Sequence, residues 1–98
     1  MVSGKYTGGV LTVSVTGKID SANADAVENE INELRKNEHV ALVIDFENLE
    51  YISSAGLRVI LKAQKSMNTK GSMKLTGVND SIMEVFDITG FLDILTIE

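Results

Sequence analysis

The order of apolar and polar residues along the chain predicts alternating strands and helices. Residues 11–16 alternate between apolar and hydroxyl side chains, and Gly8-Gly9 separates them from an earlier run over residues 2–7. A glycine pair between two such runs is typical of a β-hairpin. Residues 40–46 are apolar apart from position 45, which indicates a central strand that is covered on both faces.

Three further segments have apolar residues at the spacing of an amphipathic helix. Helices are predicted over residues 22–36, 53–69 and 80–89, and further strands over residues 72–76 and 92–97. Gly71 and Gly90 are placed to end the second and third helices. The predicted core includes Leu42, Ile44, Leu57, Ile60, Leu61, Val85 and Phe86.

This order of elements predicts an α/β fold in which residues 1–98 form a single domain. We expect a mixed β-sheet of four to five strands with three helices, in which the central strands are parallel. In such sheets the functional crevice lies beyond the carboxyl ends of the parallel strands. The pair Ser53-Ser54 follows the carboxyl end of the strand over residues 40–46, so it lies where a functional site is expected.

The charge and composition exclude several classes of function. The 98 residues carry a net charge of −5 with scattered lysines and arginines, so no basic patch for nucleic acid is expected. No apolar run approaches the roughly 18–20 residues of a membrane span, and the N-terminus lacks the apolar core of a signal peptide. We therefore expect a cytoplasmic protein that binds neither nucleic acid nor membrane.

Acidic residues are concentrated on the predicted first helix, at Asp25, Glu28, Glu30 and Glu33. Such a run is most often the solvated face of a helix. A docking surface for a basic partner is the alternative, and the sequence leaves it open.

No catalytic residue, metal site or cofactor is predicted. The only histidine, His39, precedes the strand that Ser54 follows, which separates the two by roughly 20 Å and excludes a serine–histidine pair. Glu47 and Glu50 lack the regular spacing of a calcium loop. A phosphoaspartate at Asp45 would need further acidic residues after the first strand, and that segment is Thr-Gly-Gly.

The residues alone leave two interpretations of the serine pair. In one, Ser53 caps the second helix and Ser54 is a polar residue of its first turn. In the other, Ser54 is a modification site, since a helix start tolerates a phosphate. Gly56 costs roughly 1 kcal/mol relative to alanine inside a helix, which is justified where another part of the chain must come close.

A resemblance to a known family favours the second interpretation. Two segments carry this resemblance, in the order in which the family has them: Gly-Lys-Ile-Asp over residues 17–20 and Tyr-Ile-Ser-Ser-Ala-Gly-Leu-Arg over residues 51–58. The whole chain resembles the STAS-domain anti-sigma factor antagonists, which implies a STAS-like fold. By position, Ser54 matches the family's phosphoacceptor, and Ser53 stands where several members carry aspartate. The resemblance implies a partner-binding surface at Asp20, Ser53, Ala55, Gly56 and Arg58.

The implied function is a switch protein and not an enzyme. Unphosphorylated, it would bind an anti-sigma factor that is also a serine-protein kinase and thereby free a sigma factor. The kinase would phosphorylate Ser54, and a metal-dependent PP2C-type phosphatase would reverse the step. Arg58, one turn along the helix, would either screen the phosphate or pair with a carboxylate. The alternative is a STAS scaffold subunit of a stressosome or transport complex whose serine is never modified.

Overall fold

The computed structural model describes residues 2–35 and 41–98, with the backbone alone at residues 69 and 70. His39, and with it the distance argument against a hydrolase, lies outside the described residues. The elements in chain order are β1 (Val2–Thr7), β2 (Val10–Val15), β3 (Gly17–Ile19), α1 (Ala24–Arg35), β4 (Ala41–Asp45), β5 (Leu49–Ile52), α2 (Ser54–Lys70), β6 (Ser72–Thr76), α3 (Asp80–Thr89) and a 3-10 turn (Phe91–Asp93).

The main sheet has four strands in the order β1-β2-β4-β6. Strands β1 and β2 form an antiparallel hairpin, and β2, β4 and β6 run parallel to one another. Gly8 and Gly9 make the hairpin turn with φ values of 55° and 81°, which glycine adopts without strain. The predicted mixed sheet with parallel central strands and three helices is confirmed.

A second sheet, which the sequence did not predict, consists of β3 and β5 in parallel. These strands have three and four residues, too few for a period of two to emerge from the sequence. Their apolar residues are nevertheless core residues: Ile19, Leu49 and Ile52 are each 3% exposed or less. This small sheet leads directly into α2.

The predicted last strand over residues 92–97 is wrong. Gly90 adopts the left-handed conformation that ends α3, and the chain then coils because the N–H groups of Ile94 and Leu95 both donate to the carbonyl of Phe91. Only Ile97 forms a β-bridge, with Leu75 of β6.

The core lies between one face of the main sheet and the helices. Leu42, Ile44, Leu57, Ile60 and Phe86 are buried as predicted. Leu61 and Val85 were expected in the core but are only half-buried. On α2, Val59 and Ala63 are buried instead of Leu61, because α1 packs against that side of the helix with Ile31 and Arg35 beside them.

Candidate functional site

The start of α2 is organised by Ser53. Its hydroxyl oxygen accepts a hydrogen bond from the N–H of Gly56 at 3.3 Å, and its extended backbone is that of an N-cap residue. Its own N–H donates to the carbonyl of Ile19 at 2.8 Å, which ties the helix start to the end of β3. Ser53 is therefore the capping residue of α2, and this leaves open whether Ser54 is modified.

Ser54 has a different environment from its neighbour. It is the first residue of α2, its side chain is exposed, and its hydroxyl makes no hydrogen bond within the described part of the chain. The two adjacent hydroxyls are therefore not equivalent: the hydroxyl of Ser53 is engaged in the fold, and that of Ser54 is accessible to another molecule.

The helix start also offers unpaired backbone donors. An α-helix begins with four N–H groups that lack intrahelical acceptors. Here the N–H of Ser53 donates to Ile19 and that of Gly56 donates to the Ser53 hydroxyl. The N–H groups of Ser54 and Ala55 have no acceptor among residues 2–35 and 41–98. Together with the helix dipole, they make the surroundings of the Ser54 hydroxyl favourable for negative charge.

Asp20 lies beside this helix start because of strand register. Ile19 pairs with Ile52 in the parallel β3–β5 sheet, so Asp20 and Ser53 lie side by side just beyond the carboxyl ends of the two strands. The Asp20 carboxylate accepts hydrogen bonds from the N–H groups of Ala22 (3.0 Å) and Asn23 (3.1 Å). The Asn23 side chain in turn accepts from the N–H of Asp20 at 2.8 Å. This reciprocal pair has the pattern of a capping box and begins α1.

Gly56 is required by packing within the fold. It is buried, and a Cβ atom added there would lie 2.7 Å from Cγ1 of Ile52 and 2.8 Å from Cγ2 of Ile19. The missing side chain therefore lets α2 rest directly on the β3–β5 sheet. Of the other residues expected to bind a partner, Ala55 is half-buried and Arg58 is exposed.

Three charged residues near Ser54 in the sequence are exposed. Glu47, Glu50 and Arg58 form no ion pair within the described residues. Pairing of Arg58 with a carboxylate, one of its two expected roles, is thus not seen. Nor do the residues of the described ranges contain a cluster of three His, Asp or Glu side chains that could hold a metal ion.

Two depressions on the surface of the described residues lie away from Ser54. One of about 310 Å³ lies between β1 and α1, where Val2 and Leu34 line it. Another of about 350 Å³ lies at the amino ends of β4 and β6. Over the described residues, no helix combines the length and apolar character needed to cross a membrane.

Comparisons with known proteins agree with this fold. BtrV of Bordetella bronchiseptica, a candidate anti-sigma factor antagonist, is 37% identical over 90 residues, which cover 91% of this chain and 78% of BtrV. The anti-sigma F factor antagonist of Paenibacillus polymyxa is 34% identical over 93 residues, with the same two coverages.

Among solved structures, an anti-sigma factor antagonist from Mycobacterium paratuberculosis superposes with a TM-score of 0.88. It is 23% identical and covers 99% of this chain and 83% of its own, a likeness that speaks for the fold. The family model for the STAS domain matches residues 3–98. The chain belongs to the STAS domain family.

Proposed function

We propose that this protein is an anti-sigma factor antagonist whose binding is switched by phosphorylation of Ser54. In its unphosphorylated form it binds an anti-sigma factor that is also a serine-protein kinase, and this releases the sigma factor. The kinase transfers the γ-phosphate of ATP to Ser54, and a PP2C-type phosphatase removes it. Since these partners act on transcription and use ATP, the proposed place of action is the cytoplasm, and the protein itself catalyses no reaction.

One observation carries this proposal: the two adjacent serines have different environments. The Ser53 hydroxyl is held as the helix cap, whereas the Ser54 hydroxyl is exposed and has no partner in the described structure. A kinase needs a hydroxyl that can enter its active site without first breaking a hydrogen bond of the fold. Ser54 meets this requirement and Ser53 does not.

The effect of the phosphate follows from the charges at this surface. A phosphoserine adds about −1.5 to −2 charge at pH 7. The free N–H groups of Ser54 and Ala55 and the helix dipole offset part of that charge, so the domain is expected to stay folded. Asp20 leaves the small sheet beside Ser53, and Glu50 is exposed four residues before Ser54, so the added charge makes a surface that already carries carboxylates more acidic. In this proposal the partner's contact at Ser54 fits the neutral hydroxyl, so the charge and bulk of the phosphate weaken binding at that point and the partner dissociates. In this proposal Arg58 screens the phosphate.

The test is phosphorylation by the serine kinase-type anti-sigma factors encoded in the same genome, each purified and supplied with Mg-ATP. One of them should add a single phosphate, and fragmentation should map it to Ser54. Ser54→Ala should abolish the modification yet retain binding of that kinase. Phosphorylated protein should bind much more weakly than the unmodified protein.

Ser53→Ala is the matched control, because it removes a hydroxyl one residue away. It should still be phosphorylated at Ser54, while losing about 0.5–2 kcal/mol of stability with its cap. Phosphate on Ser53, or tight kinase binding by fully phosphorylated protein, would contradict the switch. If one of the kinases binds the protein but none phosphorylates it, the alternative of a scaffold subunit with an unmodified serine would be favoured.

A further inference from the structure

The short strand β5 contains a β-bulge immediately before the Ser54 helix. Gly17 pairs with Leu49 and Lys18 pairs with Tyr51, so Glu50 is an extra residue on β5. In a regular strand, consecutive side chains point to opposite faces. A bulge interrupts this alternation and can re-aim a side chain, and bulges are frequent next to functional sites.

The exposure of the four β5 residues follows from this bulge. Leu49 and Ile52 are buried, whereas Glu50 and Tyr51 between them are both exposed. Tyr51 is 51% exposed, and its hydroxyl makes no hydrogen bond within the described part of the chain. The bulge therefore presents an aromatic ring and a carboxylate next to each other on the surface, and nothing in the described fold uses either of them.

Tyr51 lies close to Ser54 in the chain, so a partner that binds at Ser54 is the candidate to contact it. Three residues of extended chain span at most about 11 Å, so the Cα atoms of Tyr51 and Ser54 lie no farther apart than that. A standard protein–protein interface buries about 800 Å² on each partner, which corresponds to a disc of roughly 16 Å radius. Tyr51 therefore lies within the radius of a standard interface centred on Ser54. Tyrosine is among the residues enriched at the energetic centres of interfaces.

We propose that Tyr51 is the anchor residue by which the anti-sigma factor kinase holds this protein. The bulge presents its ring to an apolar pocket of the kinase, and Glu50 faces a basic side chain at the rim of that pocket. The inference rests on the proposed function and adds a specific contact to it. The exposed carboxylates of Glu47 and Glu50 supply the charge argument for a basic rim.

The experiment compares two tyrosines of similar exposure. Tyr51→Ala is set against Tyr6→Ala, since Tyr6 is 47% exposed but lies on β1 at the edge of the main sheet. With the kinase identified by phosphorylation of Ser54, Tyr51→Ala should raise the Kd at least tenfold and lower kcat/KM for phosphorylation by a similar factor. Tyr6→Ala should change either quantity less than threefold. Thermal melts of both variants separate loss of contact from loss of fold.

Two further variants keep the result interpretable. Tyr51→Thr retains the β-propensity of the strand, so it replaces Tyr51→Ala if the alanine variant melts well below the wild type. Glu50→Lys should weaken binding at low salt more than at high salt. If the wild type is phosphorylated on Ser54 while neither Tyr51 variant differs from Tyr6→Ala, the anchor is overturned and the switch stands. If no kinase encoded in the genome binds the wild type, both the proposed function and the anchor role of Tyr51 are refuted.

Discussion

The packing of α2 on the small sheet predicts that Gly56→Ala destabilises the protein. The added Cβ atom would lie 2.7 Å from Cγ1 of Ile52, 2.8 Å from Cγ2 of Ile19 and 3.1 Å from Cβ of Ile19. Both isoleucines are 3% exposed or less, and β-branched side chains have little rotamer freedom with which to yield. The helix must therefore move away from the sheet, or the sheet must distort.

The magnitude follows from two opposing terms. Alanine is favoured over glycine within a helix by about 0.5–1 kcal/mol. Forcing an extra carbon into a well-packed core costs typically about 1–3 kcal/mol, and three close contacts with two rigid side chains place this site in the upper part of that range. The expected net loss is about 1–2 kcal/mol. For a domain of this size the melting temperature should fall by about 4–8 °C for each kcal/mol.

Gly4→Ala is the matched control for this substitution. Its added Cβ atom would approach to a similar distance, 2.9 Å, but the neighbour is the end of the Leu34 side chain. Leu34 is 37% exposed and can rotate into solvent, so the loss should be smaller. Urea unfolding of both variants measures the difference. A Gly56→Ala variant at least as stable as the wild type would refute the packing argument.

A double-mutant cycle tests which contact causes the loss. Ile52→Ala removes the Cγ1 atom that the new Cβ would meet, so Gly56→Ala should cost less in that background than in the wild type. An equal cost in both backgrounds would show that Ile52 does not contribute, and the distortion would then have to be assigned to Ile19.

The remaining predictions concern α2. Ile60 is fully buried whereas Leu61 is only half-buried, so Ile60→Ala should cost about 2–5 kcal/mol and Leu61→Ala less than half as much; equal losses would place the buried face of the helix elsewhere. Gln64 is 7% exposed, and its Oε1 atom is buried without a partner among residues 2–35 and 41–98, although its Nε2 donates to Asn68 at 2.9 Å. Because an unsatisfied buried acceptor costs about 1–3 kcal/mol, Gln64→Met should raise stability by about 0.5–1 kcal/mol, and a lower melting temperature would contradict this.

The sequence predicts best where local chemistry fixes the boundary of an element. The predicted bounds of α3 agree with the structure because Asn79 caps its start, with its side chain accepting from the N–H of Ile82, and Gly90 ends it in the left-handed conformation. The predicted start of α1 was two residues too early. There the capping pair of Asp20 and Asn23 forms a turn before the first helical residue.

The small sheet could not be predicted because its signals are non-local. β3 is only three residues long, and in β5 the extra residue Glu50 breaks the alternation that would otherwise mark a strand. Each strand is stabilised by pairing with the other, which lies about thirty residues away in the chain. For the same reason the sequence did not identify Tyr51 as an exposed strand residue, because the segment before Ser53 was predicted to be an acidic loop.

The departure from aspartate at position 53 is compatible with the proposed switch, and the structure gives the physical reason. A cap requires a single acceptor oxygen, and the Ser53 hydroxyl provides it to the N–H of Gly56. An aspartate there would do the same while bringing a full negative charge to the helix start, where it would repel a phosphate on the next residue. With a neutral cap, the positive end of the helix dipole and the free N–H groups of Ser54 and Ala55 remain available to the phosphate. Serine at position 53 therefore preserves the geometry of the site and removes one source of repulsion, so that in the proposed switch the negative charge of the phosphate would act mainly on the partner.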